Sequence, residues 1–263
     1  MDPVPVSTSP LVPASETDRY FDYCLEPYTP RANPSGKWRG ESLLWQSLEV
    51  AGASAPVAEC LRAIQRHAGR DATVFGVKWA EGKLSWELYF YDPQKRDARV
   101  RVESIARVLA ERFPFTTTVR ESVPYFMFSF NLAPSLRTGD RIEALNLYLA
   151  EPVGQAGRSY RQTAASHELE NTYHFFHPKR DVREVLYRIK SSSFVDFGVL
   201  DVGKVLFPEL VTCNRVCVSK KRTADALYYS GIGVEQLAWF LRRFGWPAEI
   251  SSFIEAEAPR LDH

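Results

Sequence analysis

The chain has 263 residues, of which 45% are apolar and 25% charged, the balance of an ordinary globular domain. Its formal net charge of +1 argues against a nucleic-acid or anionic-membrane partner, since both select a marked positive excess. No apolar run approaches the roughly 18 residues of a membrane helix, so no membrane segment is expected.

Residues 1–17 are rich in Pro, Ser and Val and lack the basic start and long apolar stretch of a signal peptide. They read as a disordered leader ahead of a single domain over 18–263. Cys24, Cys60, Cys213 and Cys217 have no CxxC spacing and no Cys or His pair at zinc-ligand spacing. Reduced thiols and a cytoplasmic location are expected.

Residues 18–40 carry Tyr20, Phe21, Tyr23 and Tyr28 among Pro, Gly and Asn, without a period. Glu41–Ala51 predicts a short helix with a Leu43, Leu44, Leu48 stripe. Ser54 and Pro56 open a second helix along Val57, Leu61, Ile64 and Ala68, which Gly69 stops. Ala72–Ala80 and Leu84–Tyr91 alternate around Glu81-Gly82-Lys83, a hairpin pattern. Val102–Phe113 reads as a helix. Tyr125–Leu132 with Ile142–Ala150, and Asn171–His177 with Arg183–Ser191, read as two further hairpins. Phe194–Leu206 reads as a helix weakened by Gly198 and Gly203. Thr212–Lys220 and Ala224–Ser230 form the fourth hairpin, followed by helices over Val234–Phe244 and Glu249–Ala258. Four hairpins with intervening helices predict an α+β fold of repeated ββα units. Closing such strands into an antiparallel barrel ringed by helices would remove their edges.

Side chains alternate along a strand, so each strand has two lists. One is apolar: Leu84, Trp86, Leu88 and Phe90, for instance. The other is mixed: Glu87, Tyr89 and Tyr91; Met127, Ser129 and Asn131; Asn146 and Tyr148. This mixed list is too aromatic for open water and too polar for a dry core, which points to a lumen that holds a ligand. Lys78, Arg188, Lys190 and Arg215 fall on mixed faces, with Tyr89, Tyr148 and Tyr228 beside them. Converging cations bind phosphate oxygens, and phenol rings shield a carbocation. Glu87 is the carboxylate in the middle of these faces, either a general base or the partner of a neighbouring Lys or Arg. His174 and His177 stand three apart, on opposite faces of a strand, a poor metal pair. There is no P-loop, GxGxxG after a strand, GxSxG or HExxH.

Three stretches resemble the aromatic prenyltransferases of the αββα-barrel family: Val74–Trp79 with Leu84–Tyr91; Tyr125–Asn131 with Thr138–Tyr148; and Cys213–Ser219 with Ala226–Tyr229. The resemblance spans roughly 72–245. It implies transfer of a prenyl group from a prenyl diphosphate to an aromatic acceptor such as an indole, a phenol or a Tyr- or Trp-type side chain. Carried over by position, Lys78, Arg188, Lys190 and Arg215 would hold the diphosphate. Tyr89, Tyr148 and Tyr228 would shield the cation or touch the diphosphate, and Glu87 would activate the acceptor. Tyr91, Asn131 and Asn146 would line the pocket. No metal ligand is expected, and members of that family work with or without Mg²⁺. The family shows five hairpin units against four here. Two other readings stand beside it: a non-catalytic barrel that binds an aromatic or lipid-like molecule, and an open sheet that docks a partner.

Overall fold

Glu81 and Gly82 sit at φ 52° and 73°, the two left-handed residues that a tight two-residue hairpin turn requires. They join β1 (Thr73–Ala80) to β2 (Lys83–Tyr91), with Ala80 opposite Lys83, and so fix the register of the first pair. The computed structural model describes residues 10–21, 27–94, 97–120, 122–150 and 156–262. Met1–Ser9, Tyr23 and Cys24 lie outside them. The part of the expected leader that is described is tied down. Val12 donates its N–H to Ser42 Oγ, Ala14 N–H donates to Lys37 O, and Pro13 bridges to Trp38.

Among the described residues, one sheet runs in chain order through eight antiparallel strands. After β1 and β2 come β3 (Met127–Leu132), β4 (Leu145–Ala150), β5 (Ala156–Gln162), β6 (His167–Phe176), β7 (Arg215–Lys221) and β8 (Asp225–Ser230). The sheet curls into a half-barrel, but β1 and β8 do not pair, so the ring is not closed. Among the described residues the expected repeat of ββα units is not seen. Instead α1 (Glu41–Val50) and α2 (Ala55–Ala68) precede the sheet, α3 (Val102–Leu109) lies between β2 and β3, and α4 (Val182–Lys190) between β6 and β7. Helices α5 (Val234–Arg243) and α6 (Ala248–Leu261) follow it.

The stretch read as a strand over Arg183–Ser191 is α4. Its Val185 and Ile189, i and i+4, are buried against Val216 and Val218. The eighth strand is β5, which carries almost no apolar residues. A bulge between Ser159 and Tyr160 shifts its pairing with β6. The segment Phe194–Leu206 is a loop with one helical turn at Val202–Lys204, not a helix.

The apolar list of β1–β4 packs under α1, α2 and α3, as its pattern requires. Trp86, Leu88, Phe128, Phe130, Leu145 and Leu147 are fully buried there with Leu61, Ile64 and Ile105 of the helices. Each such side chain contributes about 1.5–3 kcal/mol. The Trp86 indole N–H, carried into this layer, is satisfied. Trp86 Nε1 donates to Ser47 Oγ at 2.8 Å, and that hydroxyl donates to Leu44 O at 2.7 Å. Helices α5 and α6 form a second core, Ala238, Leu241, Ile250 and Ile254 with Leu84 of β2.

Candidate functional site

The other face of the sheet is concave, and among the described residues no helix covers it, yet its middle is buried. Ser129, Ser159 and Ser219 are fully enclosed, and Glu87, Tyr148 and Tyr173 are 5%, 7% and 5% exposed. The curl makes this possible, because the side chains of one strand cover those of the others. Tyr89, Tyr148, Tyr173 and Tyr228 come from β2, β4, β6 and β8. Their rings follow one another at centroid separations of 6.2, 6.1 and 6.2 Å. Gly76 of β1 lets this line begin: a Cβ there would stand 3.2 Å from the Tyr89 ring.

Glu87 is the centre of the polar part. Its carboxylate pairs with Lys78 Nζ and accepts from Ser129 Oγ; Asn146 Nδ2 donates at 3.1 Å and Tyr148 OH at 3.4 Å. Lys78 Nζ also donates to Asn131 Oδ1 at 2.6 Å. Burial acts to raise the Glu87 carboxyl, but the Lys78 charge and the hydrogen bonds from Lys78, Ser129 and Tyr89 outweigh it and hold it below its ordinary value. A carboxylate held low is a weak proton acceptor at neutral pH. Of the two readings of Glu87, the geometry is that of the ion pair. The phenols of Tyr89, Tyr148, Tyr173 and Tyr228 are all pushed up, first by burial. For Tyr89 and Tyr148 the neighbouring Glu87 charge follows. They stay neutral and act as donors.

The expected constellation is therefore gathered only in part. Lys78, Glu87, Asn131, Asn146, Tyr89 and Tyr148 meet, and Tyr228 joins them through Tyr173. Tyr91 lies farther along the same face, edge-on to Phe126. Arg215 begins β7 on the side of Cys217, opposite Ser230. Arg188 and Lys190 do not belong to this face. They stand on α4, where Lys190 is exposed and Arg188 borders a surface cleft with His174, Asp181 and Glu184. Burial, then Arg188 and Lys220, lower the His174 imidazole. His177 Nδ1 accepts from the N–H groups of Lys179 and Arg180 at the start of α4, so it serves the turn. Cys60, Cys213 and Cys217 are buried.

The large cavities open elsewhere. None of five clefts between the elements is lined by Glu87, Tyr89, Tyr148 or Tyr173. One, of about 500 Å³, lies on the helix side of β8 among Phe194, Phe197, Phe207, Leu227, Phe240 and Phe244. Its outer wall is the loop after α4. Tyr229 pins that loop: its hydroxyl accepts from Phe207 N–H at 3.2 Å and donates to Val205 O at 3.3 Å. Ser192 Oγ accepts from Phe194 and Val195 N–H, and Gln236 Nε2 of α5 donates to Glu209 O at 2.7 Å. Phe244 meets Phe207 edge-on at 5.4 Å and Phe240 at a tilt at 4.6 Å. Sequence reasoning missed this site because its residues lie in a segment read as a helix. The signal was present as four Phe or Val residues in Phe194–Val199, too dense for a solvated loop.

These features define a class, an α+β half-barrel with a packed polar-aromatic lumen and a separate apolar cavity. The sequence matches no protein-family model, and no curated protein matches it significantly.

Proposed function

We propose that the protein binds an apolar or aromatic small molecule in the cavity between β8, α5 and the loop after α4. The observation that carries this reading is a space of about 500 Å³ with aromatic walls, within the range of small-molecule sites. Phe194 and Phe244 are 49% and 43% exposed at its edge, an arrangement that costs solvation unless something apolar covers them. Leu227 of β8 faces the space, so Leu227→Trp fills it without disturbing the strand pairing. Thermal-shift titration with dodecanol, geraniol and indole tests the proposal. A saturable rise in melting temperature with the natural chain, lost in Leu227→Trp, supports it. No rise with any of the three, or an equal rise in the variant, refutes it.

Prenyl transfer is the second reading, favoured by Lys78, Tyr89, Tyr148 and Tyr228 sharing one concave face. Against it stand the pairing of Lys78 with Glu87 and the position of Arg188 and Lys190 on α4. Incubation with dimethylallyl or geranyl diphosphate and a panel of indoles and phenols, read by mass spectrometry, separates the readings. A prenylated product requires the transferase, and ligand binding without release of diphosphate requires the binding protein.

A further inference from the structure

Resting on the proposed cavity, we infer that its ligand is a single-chain amphiphile with a carboxylate head, and that Lys204 holds the head. Two charged residues border the mostly apolar space, Lys204 and Asp225; Ser192, Thr223 and Tyr229 add neutral hydroxyls. Asp225 is already neutralised, because Lys220 Nζ lies 2.7 Å from its Oδ2. The two other carboxylates of the loop face its own backbone: Asp196 Oδ1 accepts from Gly198 N–H at 2.7 Å and Asp201 Oδ1 from Gly203 N–H at 2.9 Å. Lys204 is exposed, and among the described residues its ammonium makes no ion pair. The mouth therefore presents one uncompensated positive charge next to aromatic walls.

That combination selects a molecule with one negative charge on an apolar body. A single flexible ammonium matches a monoanionic carboxylate, whereas a phosphate dianion is better served by a second cation or a bidentate guanidinium. A cationic amphiphile would meet Lys204 as a like charge and find Asp225 taken. Aromatic walls with few polar groups suit an alkyl or terpenoid chain, which needs no directional bonds.

Dodecanoate, dodecanol and dodecylammonium share a chain and differ in head charge. Calorimetric titration of each into the whole protein at neutral pH, below micelle formation, tests the inference. The expected result is dodecanoate tighter than dodecanol by about two- to fivefold, the worth of an exposed charge contact. Lys204→Met should bring the two to the same affinity, and Lys204→Arg should keep the preference. Lys204 is exposed, so both variants should melt with the natural chain. Equal affinities in the natural chain, tighter dodecylammonium, or a preference that survives Lys204→Met overturns the inference and leaves the apolar cavity standing. Failure of all three to bind overturns the inference and the cavity reading together.

Discussion

Lys78→Met keeps the aliphatic stem and deletes the charge beside Glu87, which makes it the sharpest probe of the lumen. Glu87 is 5% exposed, while the Lys78 side chain is 41% exposed, so water screens part of their attraction. A hydrogen bond to a charged group contributes about 1.5–3 kcal/mol when buried. With the screening on the Lys78 side, roughly 1–2 kcal/mol is expected here. For a chain of this size that lowers the melting temperature by roughly 2–8 °C. The pH dependence carries the stronger test. In the natural chain the folded carboxyl lies below its unfolded value. Its stabilisation is therefore complete above the unfolded value and is lost as pH falls through the folded one. Without Lys78, burial dominates and the folded carboxyl rises above its ordinary value. The folded variant then takes up a proton before the unfolded chain does, and acid relieves its penalty. The stability gap between the two proteins should narrow from neutral pH to about pH 4. Urea unfolding at a series of pH values measures it. A gap that stays constant or widens with acid would show that Glu87 is not the buried charge that Lys78 compensates.

Three further outcomes follow from single contacts. Trp86→Phe removes the donor to Ser47 Oγ and part of a fully buried ring; a loss of roughly 2–3 kcal/mol is expected, read as a lower urea midpoint at unchanged slope. Gly76→Val drives side-chain atoms against the Tyr89 ring and Glu87 O, which a Cβ alone would approach to 3.2 and 3.4 Å. It should cost about 1–3 kcal/mol and change the near-ultraviolet circular dichroism of the tyrosines, whereas Gly40→Ala, with open space around it, should not. Tyr229→Phe leaves Phe207 N–H and Val205 O without their partner; about 1 kcal/mol of stability should go, and dodecanol should bind several-fold more weakly because the loop wall loosens.

Much of the architecture was legible where burial falls on one face only. Leu84, Trp86, Leu88 and Phe90 alternate with Ser85, Glu87, Tyr89 and Tyr91, and β2 follows that pattern except at Glu87, which is buried on the other face. Helix α2 is as plain, since Val57, Cys60, Leu61 and Ile64 are all fully buried on one stripe. The reading failed where two periods coexist or none does. In α4, Val185, Tyr187 and Ile189 alternate like a strand, while Val182, Val185, Leu186 and Ile189 repeat like a helix. Tyr187, 70% exposed, belongs to neither core. In β5, Arg158, Tyr160 and Gln162 share the face of Leu149, Leu147 and Leu145, yet none of the three is buried, so that face did not need to be apolar there. These two errors cancel in the strand count and not in the site, because they moved Arg188 and Lys190 from a helix onto a sheet. The mixed faces of β2, β3, β4 and β8 were read correctly as one surface.

What that surface does was decided by curvature, which alternation cannot encode. A flat sheet with Tyr89, Tyr148 and Tyr228 on one face would offer an open platform. A curled sheet of eight strands has an interior about as wide as its own side chains. The small residues are placed for that outcome: Ser129, Ser159 and Ser219 lie on alternate strands to the tyrosines of β2, β4, β6 and β8, so large and small side chains interleave. Each hydroxyl or amide that this interleaving buries needs a partner, and Glu87 supplies an acceptor to Ser129, Asn146 and Tyr148 at once. A carboxylate with that duty, paired with Lys78, is a weak proton acceptor as it stands. These polar residues pack the inside of the curl and satisfy one another. The cavity proposed above to take a ligand opens on the helix side of β8, where the loop Ser192–Phe207 stands off the sheet and a packed helix would have closed it.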